Sequence, residues 1–150
     1  MKMLVLCLAF FFLILVSIQD IKNRKVSNLR LFSLLLIFSL FFLLEKRYPQ
    51  NILFAGIILF LGVILSNLHL LGGADSKLIA MLILVIAPHY VELFVFFLAC
   101  LVLVTCSIYS VGFWLGKAQR SRGIPLIPAI SLAGWMCLWL TSMDAHGLVS

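Results

Sequence analysis

The chain has 150 residues, of which 65% are hydrophobic and only 11% are charged. A soluble domain of this size carries about 25% charged residues, so the composition excludes an ordinary soluble protein and indicates a polytopic membrane protein. The formal net charge of +6 does not indicate a nucleic-acid partner, because the basic residues occupy short loops between apolar segments, where they set the membrane orientation.

Six apolar segments follow one another along the chain. Lipid offers the backbone no hydrogen-bond partners, so each segment is predicted to be an α-helix. A full span needs about 20 residues, which makes the second and fourth segments short, although the second gains length if it begins at Asn28. Residues 1–150 are therefore expected to form one all-α bundle of about six transmembrane helices in a single membrane-embedded domain. The segments are Met3 to Ile18, Leu31 to Leu44, Ile52 to Leu71, Leu78 to Ala87, Leu93 to Leu115 and Ile124 to Leu140.

Three of these regions need comment. The first segment is interpreted as a retained span rather than a cleaved signal, since Gln19 and Asp20 follow it without a small-x-small cleavage site. The fourth segment runs into Pro88 and is expected to be a short or tilted helix paired with the fifth. The polar tail from Thr141 to Ser150 is expected to fray.

The basic residues favour one orientation in the membrane. If all six segments span it, loops one, three and five share a face, and that face holds most of the 11 Lys and Arg residues. The positive-inside rule places this face in the cytoplasm and both termini outside, as in a multi-pass protein of the cell membrane. The inner face carries Lys22, Arg24, Lys25, Arg30, Lys77, Lys117, Arg120 and Arg122, and the outer face carries Lys2, Lys46 and Arg47.

Two of the five acidic residues, Asp20 and Asp75, fall on the inner face. The chain crosses the membrane twice between them, so their side chains can meet. Each also has a plain structural interpretation: Asp20 as a charge at headgroup level, and Asp75 as a helix N-cap. Two carboxyls that lie close together cannot both ionise readily, so the pair holds one proton between them. The ionised one can draw a proton from water, while the protonated one polarises a peptide carbonyl and later helps the amine leave, as in aspartic proteases.

Residues near Asp75 have less specific interpretations. Gly72 and Gly73 are expected to allow a sharp turn and the close approach of a substrate strand, although a tight loop favours glycine in any case. His69 is expected to be a packing or capping residue. The four cysteines form no Cys-x-x-Cys pair, so no metal site is expected.

Three stretches of the chain resemble the prepilin peptidase family, the type IV leader peptidases, and most closely their short tight-adherence type. The first, DIKNRKVSN, is similar to the family's aspartate, basic loop and Pro-Asn. The second, GGADSKL, is similar to its G-x-G-D-x-K-L. The third, IPLIPAISLAG, is similar to its Pro-x-x-Pro-Ala helix start. Ser27 stands where the family has proline, and Ala74 stands where it has the second glycine.

The resemblance implies an intramembrane aspartic endopeptidase with Asp20 and Asp75 as its catalytic pair. Such an enzyme cuts the short basic leader from pilin-like precursors, on the cytoplasmic side of their hydrophobic segment. By the same resemblance, Asn28 holds the first loop against the site, and Lys77 tunes its charge or contacts lipid headgroups. No cofactor is expected, and the first loop lacks the cysteine-rich insert of the larger members that also methylate their product with S-adenosylmethionine.

Two other functions stay open for the same residues. Membrane carboxylates also serve as ion relays, so the chain could be a small transporter or a proton-conducting subunit. It could also be a non-catalytic scaffold in a pilus assembly machine. Transporters usually place their acids near the midplane of a span, whereas both aspartates here lie at span ends, which favours the peptidase.

Overall fold

The computed structural model describes residues 2–23, 26–44, 49–68, 72–114 and 124–144. Within these ranges the protein is all-helical, as predicted, with six helices and no strand. The helices are α1 (Lys2–Asn23), α2 (Asn28–Leu44), α3 (Pro49–Asn67), α4 (Gly73–Val85), α5 (Pro88–Trp114) and α6 (Ile127–Asp144).

Three helices are long and apolar enough to cross a membrane. These segments are Met3–Asn23 in α1, Gln50–Asn67 in α3 and Pro88–Val111 in α5, and α2 contributes a shorter apolar helix, Asn28–Leu43. The expected extension of the second segment back to Asn28 is confirmed, because α2 begins there. These apolar helices are those of a membrane protein.

The shortest helix, α4, has 13 residues. At a rise of 1.5 Å per residue it is about 20 Å long, well short of a hydrocarbon core of about 30 Å. The helix ends at Val85 because Ile86 adopts an extended conformation and Pro88 then begins α5. The brevity predicted for the fourth segment is therefore confirmed.

α4 lies at the centre of the bundle. It packs against α3, α2 and α6, so the expectation that it pairs with the fifth helix is wrong. Gly62 of α3 lies directly against Ser76 of α4, and Gly134 of α6 lies against Leu82, with no room for a Cβ atom at either glycine. Small residues let membrane helices approach closely, and these two glycines draw α3 and α6 onto α4.

Hydrogen bonds fix the connection between α4 and α5. The Asn51 side chain of α3 donates from Nδ2 to the Ile86 carbonyl at 2.6 Å, and the Ala87 N–H donates to Thr141 Oγ1 of α6 at 3.1 Å. Thr141 is buried and α6 continues to Asp144, so the fraying expected from Thr141 onward is wrong for residues 141–144. Residues 145–150 lie outside the described residues.

Candidate active site

The two inner-face aspartates lie at one end of the bundle. Asp20 is in the last turn of α1, and Asp75 is the third residue of α4. They are close enough for the negative charge of Asp20 to act on the ionisation of Asp75. In the sequence, α2 and α3 lie between these two carboxylates. The fold nevertheless places both carboxylates at the same end of the bundle. We call this pair the dyad.

Asp20 is buried, with 9% of its surface exposed, and it contacts the start of α6. The backbone N–H of Ile127 donates to Asp20 Oδ2 at 3.4 Å. The first N–H groups of a helix have no partner within the helix, and the helix dipole favours a negative charge at this position. The contact therefore orients the Asp20 carboxylate against the N-terminus of α6.

Asp75 is not the N-cap residue of α4, so the interpretation of Asp75 as a helix N-cap is wrong. Gly72 is the N-cap of α4, without a side-chain capping hydrogen bond of its own, and Asp75 lies within the first turn. The Asp75 carboxylate reaches back to the Gly72 backbone, as the third residue of a helix does in a capping box. This contact holds the side chain at the helix start.

Gly72 is needed for space rather than for a special backbone conformation. Its φ of −68° and ψ of 132° are ordinary extended angles that any residue can adopt. A Cβ atom at this position, however, would lie 2.6 Å from Asp75 Oδ2. At Gly73 the added Cβ would lie 3.2 Å from Ser66 Oγ of α3, a milder conflict with one movable hydroxyl. Gly72 therefore determines where the Asp75 carboxylate can lie.

Asp75 precedes the apolar segment Leu78 to Ala87 and lies outside the three long apolar helices. Burial raises the pKa of its carboxyl, and the negative charge of Asp20 raises it further. The hydrogen bond to the Gly72 backbone lowers it by a smaller amount, and the outcome is a pKa of about 6 instead of the ordinary 3.8. Asp75 therefore keeps its proton in conditions where an exposed aspartate has lost it.

Asn28 and Lys77 are also brought together. Lys77 Nζ donates to Asn28 Oδ1 at 3.4 Å, and both side chains are exposed. The bond joins the start of α2 to the second turn of α4, at the end of the bundle that holds the dyad. The start of α2 is thus tied to the helix that carries Asp75.

Sequence reasoning missed the part that α6 takes in the site. The stretch IPLIPAISLAG resembles the family's helix start, but no sequence pattern marks the Ile127 N–H as a partner for Asp20. His69 lies outside the described residues. So do several of the inner-face basic residues, namely Arg24, Lys25, Lys117, Arg120 and Arg122.

The fold and the dyad define a helical membrane protein with a paired-carboxylate site at one end of its bundle. Residues 7–111 match the family model of the type IV leader peptidase family. This is more than half of the chain, so the chain belongs to that family, and its class is that of a prepilin peptidase-type membrane protease. The match contains Asp20, Asn28, Asp75 and Lys77 and ends before α6. No curated protein and no solved structure matches the chain significantly.

Proposed function

We propose that the protein is an intramembrane aspartic endopeptidase that removes the basic leader from pilin-like precursors at the cytoplasmic face of the cell membrane. One observation carries this proposal. A buried carboxylate on α1 lies near enough to a carboxyl on α4 for its charge to raise the pKa of that carboxyl, in a member of a leader peptidase family. Such a pair supplies one base and one acid for peptide hydrolysis.

The two aspartates take different roles at the start of the reaction. Asp20 is the ionised member, because the N-terminus of α6 stabilises its charge through the Ile127 N–H. Asp75 is the member that holds the proton when the pair carries one, because burial and the negative charge of Asp20 raise its pKa to about 6. Asp20 takes a proton from a water molecule as the water oxygen attacks the carbonyl carbon of the scissile peptide bond. Asp75 gives its proton to the carbonyl oxygen, which yields a neutral tetrahedral diol.

The second half of the reaction returns both protons. When the diol collapses, the proton now on Asp20 passes to the leaving amine nitrogen and the C–N bond breaks. Asp75 recovers a proton from one diol hydroxyl, and the oxygen of that hydroxyl becomes the carbonyl oxygen of the new carboxyl group. Each aspartate ends in its starting state, so no cofactor is needed. General acid–base catalysis of this kind supplies about 10²–10⁴-fold of rate, and orientation of the substrate supplies much of the remainder.

Charge at the two ends of the bundle supports a cytoplasmic dyad. Lys22, Arg30 and Lys77 lie on the helices at the dyad end, whereas the acidic Glu92 and Asp144 lie near the other end. If the chain changes sides at each of the six helices, the positive-inside rule assigns the dyad end to the cytoplasmic face and both termini to the outside. The precursor's leader, which precedes its hydrophobic segment, would be cut on that same side.

Asn28 and Lys77 act as supports in this proposal. Their hydrogen bond joins α2 to α4, and α2 also packs against α1, so the contact bears on both helices of the dyad. Lys77 directs its ammonium group to the Asn28 amide oxygen, which makes positioning of the first loop its main role. Gly72 and Gly73 leave room for the Asp75 carboxylate and for the close packing of α4 on α3.

Reconstitution into liposomes tests the proposal against its alternatives. Purified protein is incubated with a purified pilin-like precursor in the same vesicles, and the products are measured by mass spectrometry. The proposal predicts one cut between the basic leader and the hydrophobic segment, without dissipation of an imposed pH gradient. An intact precursor together with proton flux would identify a proton-conducting protein, and an intact precursor without flux would favour the scaffold.

A further inference from the structure

The outward side of α6 forms a concave apolar surface between two neighbouring helices. α6 packs against α1 on one side and α5 on the other. A cavity of about 260 Å³ opens between α6 and α1, and a second of about 490 Å³ opens between α6 and α5. Trp135 lines both cavities, so they adjoin each other along α6. We call this surface the α6 furrow.

One end of the α6 furrow adjoins the dyad. The smaller cavity is lined by Ser17 of α1 and by Pro128 of α6. Ser17 lies one helical turn before Asp20, and Pro128 follows Ile127, whose N–H bonds to the Asp20 carboxylate. From Pro128 the furrow runs along α6 to Leu140, a length of about 18 Å at 1.5 Å per residue. A helix lying in the furrow would therefore present its end to the catalytic carboxylates.

A buried hydroxyl in the α6 furrow favours a polypeptide over lipid as the molecule that occupies the furrow. Ser131 lines the smaller cavity and is 6% exposed, and its Oγ has no hydrogen-bond partner among the described residues. A buried hydroxyl without a partner is unfavourable. A lipid acyl chain offers no acceptor or donor, whereas a peptide backbone offers both, most readily where it is unwound next to the scissile bond.

We propose that the hydrophobic segment of the precursor docks along the α6 furrow, with its first residues after the scissile bond against Ser131. The inference rests on the proposed function and adds the location of the substrate. The apolar walls accept the bulky apolar side chains of the segment, and rotation of the Ser131 side chain toward the furrow brings its hydroxyl within reach of the segment's backbone. The segment's position in the furrow then determines which peptide bond reaches Asp20 and Asp75.

Filling the furrow tests this docking kinetically. Leu132 lies in the smaller cavity and is 49% exposed, and Leu132→Trp is expected to raise KM for the precursor by about 10-fold with a smaller effect on kcat. The matched control is Leu36→Trp on α2, at a residue that is 56% exposed and is not part of the furrow. It is expected to keep both constants within about twofold. Equal effects of the two substitutions would overturn the inference.

Photocrosslinking tests the same contact without turnover and without a change of fold. A diazirine analogue of leucine, close to leucine in size, replaces Leu132, or Leu36 as the control, in protein that also carries Asp75→Asn and is reconstituted with the precursor. The expected adduct joins position 132 to the precursor's hydrophobic segment and is absent at position 36. Adducts with lipid alone at position 132 would overturn the inference. Cleavage by the wild-type protein without this adduct would refute the docking site and leave the proposed function intact, whereas the adduct without wild-type cleavage would refute the proposed function.

Discussion

Asp20→Asn and Asp75→Asn are each expected to lower the rate of precursor cleavage by about 10³-fold or more, because each removes one partner of the acid–base pair. Both variants should still fold and insert into the membrane. An asparagine amide oxygen still accepts a hydrogen bond, so the contact with the Ile127 N–H survives in Asp20→Asn. Initial cleavage rates of purified variants in liposomes, at matched protein and precursor concentrations, measure the effect.

Asp144→Asn is the matched control for these substitutions. Asp144 pairs with His89 at 3.1 Å and lies at the far end of α6, about 25 Å along the helix from Ile127. This control is expected to keep the cleavage rate within about twofold of the wild type. If Asp20→Asn or Asp75→Asn cut the precursor as fast as the control variant, the assignment of the dyad would be wrong.

Gly72→Ala is expected to lower cleavage by about 10–100-fold although it adds only one methyl group. The new Cβ would lie 2.6 Å from Asp75 Oδ2, so the carboxylate must move, and a displacement of about 1 Å at a catalytic group can cost about 10²-fold in rate. Because the backbone angles of Gly72 suit alanine, the fold should be retained. Cleavage rate and thermal unfolding of the same preparation separate the two effects.

Two other glycines provide controls for this substitution. Gly73→Ala meets only the Ser66 hydroxyl, at 3.2 Å, and Gly56→Ala on α3 has nothing within 4 Å of the added Cβ. The expected loss of cleavage rate is therefore largest for the substitution at position 72, small at position 73 and absent at position 56. Equal activity of all three variants would show that the position of the Asp75 carboxylate does not limit the reaction.

The helices and the meeting of the two aspartates could be predicted from the sequence. Long apolar segments in lipid have no stable alternative to the α-helix, and the number of crossings between Asp20 and Asp75 places both residues at one end. The distribution of the basic residues along the chain likewise predicts the orientation in the membrane, by the positive-inside rule. These inferences depend on composition and connectivity, which the sequence contains in full.

Contacts between distant helices could not be predicted in this way. The Ile127 N–H that binds Asp20 belongs to the backbone and has no residue type to mark it. The packing of α4 on α3 depends on Gly62 meeting Ser76, a pairing that no periodicity shows when every face of the helices is apolar. The sharp turn predicted for Gly72 is not needed, because its backbone angles are ordinary, and no sequence pattern indicates the room that it leaves for the side chain of Asp75.

The central physical claim is that Asp20 and Asp75 form one electrostatic unit, and carboxyl titration by NMR tests it most directly. The chain has three aspartates, Asp20, Asp75 and Asp144, so aspartate ¹³C-labelled at the carboxyl gives few signals to assign. The account predicts a pKa near 6 for Asp75 in the wild type and a lower pKa in Asp20→Asn, because loss of a neighbouring negative charge eases its ionisation. An Asp75 pKa that stays the same when Asp20 is replaced would contradict the account.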